Sequence, residues 1–401
     1  MNITETIQDK SKPLSSISTE PCIDRKVQKN SQTGFRSTIE QLASLADIRI
    51  DGNRPWDIQV HNDDLYPRLL AQGSLALGES YMDGWWNCKN LDEFFYRIMR
   101  ADLEDKVKPW KEVINVFKAK LFNLQKPSRA FRIGQHHYDI GNKLYEQMLD
   151  SHLIYSCGYW ENAHTLDEAQ EAKLDLVCRK LGLKKGMRVL DIGCGWGGAA
   201  KFAAERFDVE VVGITVSEEQ AKLAEQTCRG LPVEIRMQDY RDLNEPFDNI
   251  YSLGMFEHVG HKNYETYLNV VKRCLRDGGL FLMHTIGNSK SFSSPDPWIE
   301  RYIFPNSILP SAKQICSAIE GQFVFEDWHN FGADYDTTLM HWFKKFQHSW
   351  DSLKKEYNER FYRMWKYYLL SCAGAFRARK IQLWQIVLST NGVPGGYRSI
   401  R

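Results

Sequence analysis

The sequence predicts an α/β fold: a Rossmann-like, mostly parallel sheet with helical cap insertions, preceded by a smaller N-terminal α+β domain. Three observations predict it. From about residue 134 onward, apolar strand-like runs alternate with helical stretches. The run Val189-Leu190-Asp191-Ile192 passes directly into the turn Gly193-Cys194-Gly195-Trp196-Gly197-Gly198, which opens a helix. The chain of 401 residues exceeds one ordinary core, so a second unit is expected.

The elements follow in order. Residues 1–34 are polar and aperiodic and read as a disordered tail. In the block 35–105, STIEQLASLADI reads as a helix and IRIDG as a strand entering a turn; Trp85-Trp86 looks exposed. Residues 106–132 carry eight Lys or Arg against one Glu. Trp110, Val113, Ile114, Phe117 and Leu121 share one helical face there. Such a basic amphipathic linker suits either an anionic membrane surface or packing between domains. In 133–401, RVLDIG, VEVVGITV, VEIRM, DNIYSLGMF and GLFLMHTIG read as strands, with helices from Gly197, Glu218 and after His261. The part 296–401 is aromatic and largely helical, ending in the strand-like IQLWQIVLS. It is sized for a cap and the last strands of the sheet.

Composition narrows the function classes. The 52 basic and 51 acidic residues nearly cancel, so no global field points to nucleic acid. Nine scattered Cys without a CxxC pair argue against a disulfide framework or a metal site and fit a reducing cytosol. No apolar run is long enough to span a bilayer. Aromatic content of 12% fits a large aromatic core or a lipid interface.

The glycine turn also matches a dinucleotide fingerprint when read literally. Two features oppose that reading. The second strand ends at Thr215-Val216-Ser217, where a dinucleotide site needs an acid for the ribose. Asp191 precedes the glycines, where it would repel a pyrophosphate and attract a cationic amino-acid tail. S-adenosylmethionine carries such a tail and a sulfonium. The candidate contacts are therefore Val189, Leu190, Asp191, Ile192, Gly193, Cys194, Gly195, Trp196 and Gly197. Thr215, Val216 and Gln220 are placed for the ribose, and Asp239, Tyr240 and Arg241 for the adenine. This makes the domain a class I methyltransferase fold.

HYDIGN (137–142), YSCGYW (155–160), LDIGCGWGG (190–198), QDYRDL (238–243), GMFEHVG (254–260), HTIG (284–287), YIFPN (302–306), DWHNFGADYDTTL (327–339) and CAGAFR (372–377) occur together and in order. The set resembles the bacterial cyclopropane-fatty-acyl-phospholipid synthases and, more distantly, the mycolic acid cyclopropane synthases. The resemblance implies transfer of a methylene from S-adenosylmethionine to the cis double bond of a phospholipid acyl chain. An isolated alkene is a weak nucleophile and must be held in line in a dry pocket. A base must then take a proton from the new methyl so that the ring closes. In the resembled family that base is a bound bicarbonate. Carried over, it would be held by Cys157, Glu257, His284, Ile286 through its backbone, and Tyr335. Tyr155 and Ser156 would join the cofactor contacts. Cys372 falls where the family has a Cys regarded as an active-site residue, but its sequence YYLLSCAGAF reads as a packed helix and favours a pocket wall. Phe256, Phe304, Trp328, Phe331, Trp342 and Phe346 are candidates to line an acyl channel. The expected partners are a phospholipid bilayer surface, met transiently from the cytoplasm at the inner face of the membrane, and a second copy of the chain.

Overall fold

The computed structural model describes residues 24–102 and 141–401. The basic linker and most of HYDIGN lie outside the described residues. The N-terminal part comprises α1 (Asp24–Ser44), β1 (Ile58–Val60), α2 (Leu65–Gln72), α3 (Ser74–Met82), β2 (Trp86–Cys88) and α4 (Leu91–Arg100). After α5 (Asn142–Met148) and α6 (Leu166–Lys180) the sheet begins. It runs β3 (Arg188–Ile192), α7 (Gly198–Phe207), β4 (Glu210–Thr215), α8 (Glu218–Thr227), β5 (Val233–Met237), β6 (Asn249–Leu253), α9 (Tyr264–Cys274) and β7 (Leu280–Asn288). The rest is α10 (Pro297–Tyr302), α11 (Ala312–Ile319), β8 (Val324–Asn330), α12 (Ala333–Leu353), α13 (Glu359–Arg377) and β9 (Ile381–Ser389).

Seven strands form one sheet in the order β5-β4-β3-β6-β7-β9-β8. The first five are parallel, and β9 inserts antiparallel between β7 and β8. Order reverses beside β3, which places the ligand crevice of such sheets at the carboxyl ends of β3, β4 and β6. The α/β reading and the strands named from sequence therefore hold. β8 was not located from sequence, because only Asp327 in its middle is buried and no apolar alternation marks it.

Other expectations change. α1 begins at Asp24, inside the segment read as tail, so that boundary moves. IRIDG yields only an isolated bridge between Ile50 and Ile58, and the two-stranded ribbon is β1 with β2. Trp86 is fully buried, not exposed. Its indole donates to the Leu77 carbonyl at 3.0 Å and meets the rings of Tyr81 and Phe94. The N-terminal block does not close a core of its own. Its Tyr81, Trp86, Phe94 and Phe95 join Trp298, Trp365 and Tyr367 of the cap in one apolar cluster. Gly78 lies directly under the Trp298 indole, which a Cβ there would overlap. Arg377 of α13 pairs with Asp92 of α4 at 2.8 Å and with Asp336 of α12 at 2.9 Å, tying three helices together.

Candidate functional site

A cleft opens at the carboxyl ends of β3, β4 and β6. Of the residues expected to touch the cofactor, Tyr155, Ser156, Asp191, Ile192, Gly193, Cys194, Gly195, Trp196, Thr215, Val216, Gln220, Asp239, Tyr240 and Arg241 line it. Val189 and Leu190 do not: both are fully buried in the sheet's apolar cores. Gly197 does not either, since its Cα faces Ala224 and the Cys228 thiol. Among the further lining residues that sequence reasoning missed are Leu153, Met255 and His258.

The residues present fit S-adenosylmethionine. Asp191 is 1% exposed, and its Oδ2 has no hydrogen-bond partner. Burial pushes its carboxyl up to about 7, against the opposing effects of the Tyr251 hydroxyl and, less, the Lys173 ammonium. A ligand ammonium would supply the missing partner and restore the charge. Gly195 has φ +55°, and an added Cβ would meet no protein atom, so it would enter the space the ligand needs. Thr215 Oγ1 donates to Gln220 Oε1 at 3.0 Å, fixing that amide at the tip of β4. Asp239 accepts from Arg241 N–H at 3.0 Å and from its guanidinium at 2.9 Å, which shapes the turn after β5.

A second constellation adjoins the cleft. Parallel pairing sets Leu253 of β6 opposite His284 of β7, and the turn after β6 carries Glu257. Glu257 Oε1 accepts from Ile286 N–H at 2.7 Å, while Oε2 is buried without a partner. Burial pushes this carboxyl up to about 7. His284 is 1% exposed, and burial drives it well below its ordinary value, so the ring is neutral. Gln385 Nε2 of β9 faces His284 Nδ1 at 3.4 Å, leaving the ring proton on Nε2. That Nε2 is also buried and unpartnered. Glu257 is bonded to the β7 backbone two residues beyond His284, and bicarbonate, with one O–H and acceptor oxygens, has the groups to satisfy this orphaned acceptor and this orphaned donor. Tyr335 of α12 is within electrostatic reach of Cys157, Glu257 and Cys372. Cys157 is fully buried, its thiol donates to the Gly158 carbonyl at 3.1 Å, and burial pushes its pKa well up, so it stays a thiol.

Two details depart from the sequence reading. The Ile286 N–H is spent on Glu257, so Ile286 serves the site by orienting that carboxylate. Cys372 is half-buried and packs against the cap's apolar cluster; burial pushes its thiol up to about 12. A thiolate nucleophile is not available there. Of the channel candidates, Phe304, Phe331, Trp342 and Phe346 belong to the cap's apolar cluster, whereas Phe256 and Trp328 pack in the sheet's core. Thr338 went unread in the sequence. Its hydroxyl accepts from Gly158 N–H at 3.1 Å and Trp160 Nε1–H at 2.9 Å, pinning the Cys157 loop to α12. Among the described residues no His, Cys, Asp and Glu group could hold a metal ion.

The family model described as mycolic acid cyclopropane synthetase matches residues 125–386. Cyclopropane-fatty-acyl-phospholipid synthase of Escherichia coli K12 is 56% identical over 362 residues, covering 90% of this chain and 94% of that protein. The structure of cyclopropane synthase MmaA2 from Mycobacterium tuberculosis superposes with a TM-score of 0.61 at 31% identity, covering 64% of this chain and 97% of that one. Mycolic acid cyclopropane synthase CmaA1, solved with SAH and CTAB, does so with a TM-score of 0.60 at 32% identity, covering 64% and 97%. The glycine turn at β3, the orphaned Glu257–His284 pair and these matches agree: the chain belongs to the cyclopropane synthase family of S-adenosylmethionine-dependent transferases.

Proposed function

We propose that this protein converts the cis double bonds of unsaturated phospholipid acyl chains to cyclopropanes, with bicarbonate as the general base. The observation that carries the base is the pair of buried, unpartnered atoms Glu257 Oε2 and His284 Nε2. The match to the Escherichia coli enzyme carries the substrate class. When bound, S-adenosylmethionine supplies the one-carbon unit. When bound, bicarbonate supplies the oxygen that takes the proton. Glu257 accepts the ion's O–H and His284 donates to its oxygens, which fixes its orientation. The cap aromatics Phe304, Phe331 and Trp342 keep the site dry, so a developing cation is not trapped as an alcohol. A carboxylate and an anion nearby stabilise that cation.

The working place is a bilayer surface met from the cytoplasm, by a paired chain. No helix of the described residues is long and apolar enough to cross a membrane. Labelled S-adenosylmethionine with vesicles of unsaturated or saturated phospholipid tests the reading. Label is expected only in the unsaturated lipid, as a gain of one carbon and two hydrogens. Equal labelling of both would overturn it. Bicarbonate-free buffer should depress turnover, with recovery on adding the ion; unchanged turnover would remove bicarbonate from the mechanism.

A further inference from the structure

Lys173 is a buried cation that the chemistry above does not use. It projects from α6 and is fully buried. Its ammonium donates to the hydroxyl of Ser156 at 3.0 Å, a neutral partner. The neighbouring Asp150 is committed elsewhere: its two oxygens accept from Ile154 N–H and His152 N–H, each at 2.9 Å. Among the described residues no carboxylate forms an ion pair with Lys173. The buried carboxylates of Asp150 and Asp191 act on this ammonium through space, but its direct contact is the Ser156 hydroxyl.

That contact points to a use. Ser156 lines the cofactor cleft, and α6 grips it twice: Gln170 Nε2, one turn before Lys173, donates to the Ser156 carbonyl at 2.8 Å. A hydroxyl that accepts from an ammonium has its own proton free to donate. Asp191, contributed to the same cleft by β3, is the opposite charge, likewise buried and with an orphaned oxygen. The cleft therefore presents one cation, relayed by a hydroxyl, and one anion. This matches the two ends of a zwitterion.

We propose that Lys173 is a positioning residue for the α-carboxylate of the cofactor's amino-acid tail, acting through the Ser156 hydroxyl while Asp191 takes the α-ammonium. The inference rests on the S-adenosylmethionine reading of the cleft. Burial holds the Lys173 ammonium down to about 8, still largely protonated at neutral pH, and a bound carboxylate would pull it back up.

Calorimetric titration separates the possibilities. The ligands are S-adenosylhomocysteine and S-adenosyl-3-thiopropylamine, the same molecule without its carboxylate. The wild-type protein should bind the first about tenfold tighter or more, as a charge-assisted contact is lost in the second. Lys173→Met should bring that ratio close to one, because only the carboxylate-bearing ligand loses the relayed contact, whereas any change at Asp191 is felt by the amine of both ligands alike. In a Ser156→Ala background Lys173→Met should add little, because the relay is already cut. Equal wild-type affinity for both ligands would overturn the proposal, and needs no variant to fold. So would a Lys173→Met protein that keeps the wild-type ratio between the two ligands, the signature of a merely structural lysine. A wild-type protein that binds neither ligand would overturn the cofactor reading itself.

Discussion

Glu257 Oε1 accepts from Ile286 N–H, while Glu257 Oε2 and Asp191 Oδ2 are each buried without a well-formed hydrogen bond. Both are held up to about 7 by burial. The linkage sign follows from that. A carboxyl whose folded pKa is raised binds more protons folded than unfolded, so it costs stability as pH rises through that range. In the ligand-free protein, Glu257→Gln and Asp191→Asn should each raise the unfolding temperature at pH 8 and do so far less at pH 5. The gain at pH 8 is up to about 3 kcal/mol for Glu257 and about 4 kcal/mol for Asp191. Thermal unfolding at the two pH values checks it; variants no more stable at pH 8 would mean these groups are not desolvated as described. Turnover has the opposite slope. The acceptor form of Glu257 disappears below pH 7, so activity should fall there in the wild type. Cys372 has no charge to contribute, its thiol standing near 12. Cys372→Ser should keep its turnover within about threefold, the cost of a small polar change in an apolar wall. A folded variant without turnover would restore a chemical role to that sulfur.

At the level of elements, close approach sets the sensitivity. Gly78 of α3 lies under the Trp298 indole of α10, and Gly374 of α13 lies against the backbone of Asp92 in α4. Gly78→Ala should destabilise the fold by about 1–3 kcal/mol through overpacking, although alanine is the better helix former. Denaturant unfolding would show it, and an unchanged midpoint would mean the α3–α10 contact yields freely. Elements built from local chemistry were legible in the sequence. The β3 strand and its glycine turn were, because backbone conformation and ligand approach both demand glycine there. β8 was not, because this edge strand carries polar residues held by distant ones: Asp327 is bound by Lys180 at 3.3 Å and Arg401 at 2.7 Å. Gln385 was equally invisible. Its place beside His284 follows from the β7–β9 register, which joins residues a hundred positions apart. Lys173 and Thr338 escaped for the same reason: each acts on the Cys157 loop from a helix that sequence alone does not dock.

For the whole molecule, the N-terminal block and the cap share their packing. Trp86 looked exposed because the rings that cover its neighbours, such as Tyr367, come from α13. The block and the cap bury one aromatic cluster between them. A fragment of residues 141–401 should therefore expose that cluster, bind hydrophobic dyes and elute as aggregates in size-exclusion chromatography, while the full chain does not. A monodisperse, dye-silent fragment would show that the cap closes by itself. The insertion of β9 between β7 and β8 has a consequence during synthesis. The last strand to leave the ribosome is the one that joins the two others and brings Gln385 to His284. Until then β7 and β8 present bare edges, an invitation to chaperones. The methyl donor's cleft draws on β3, β4 and β6, all upstream, whereas the His284 ring gains its Gln385 partner only once β9 has paired. The reactive pocket is therefore finished last, when translation has passed the rest of the sheet.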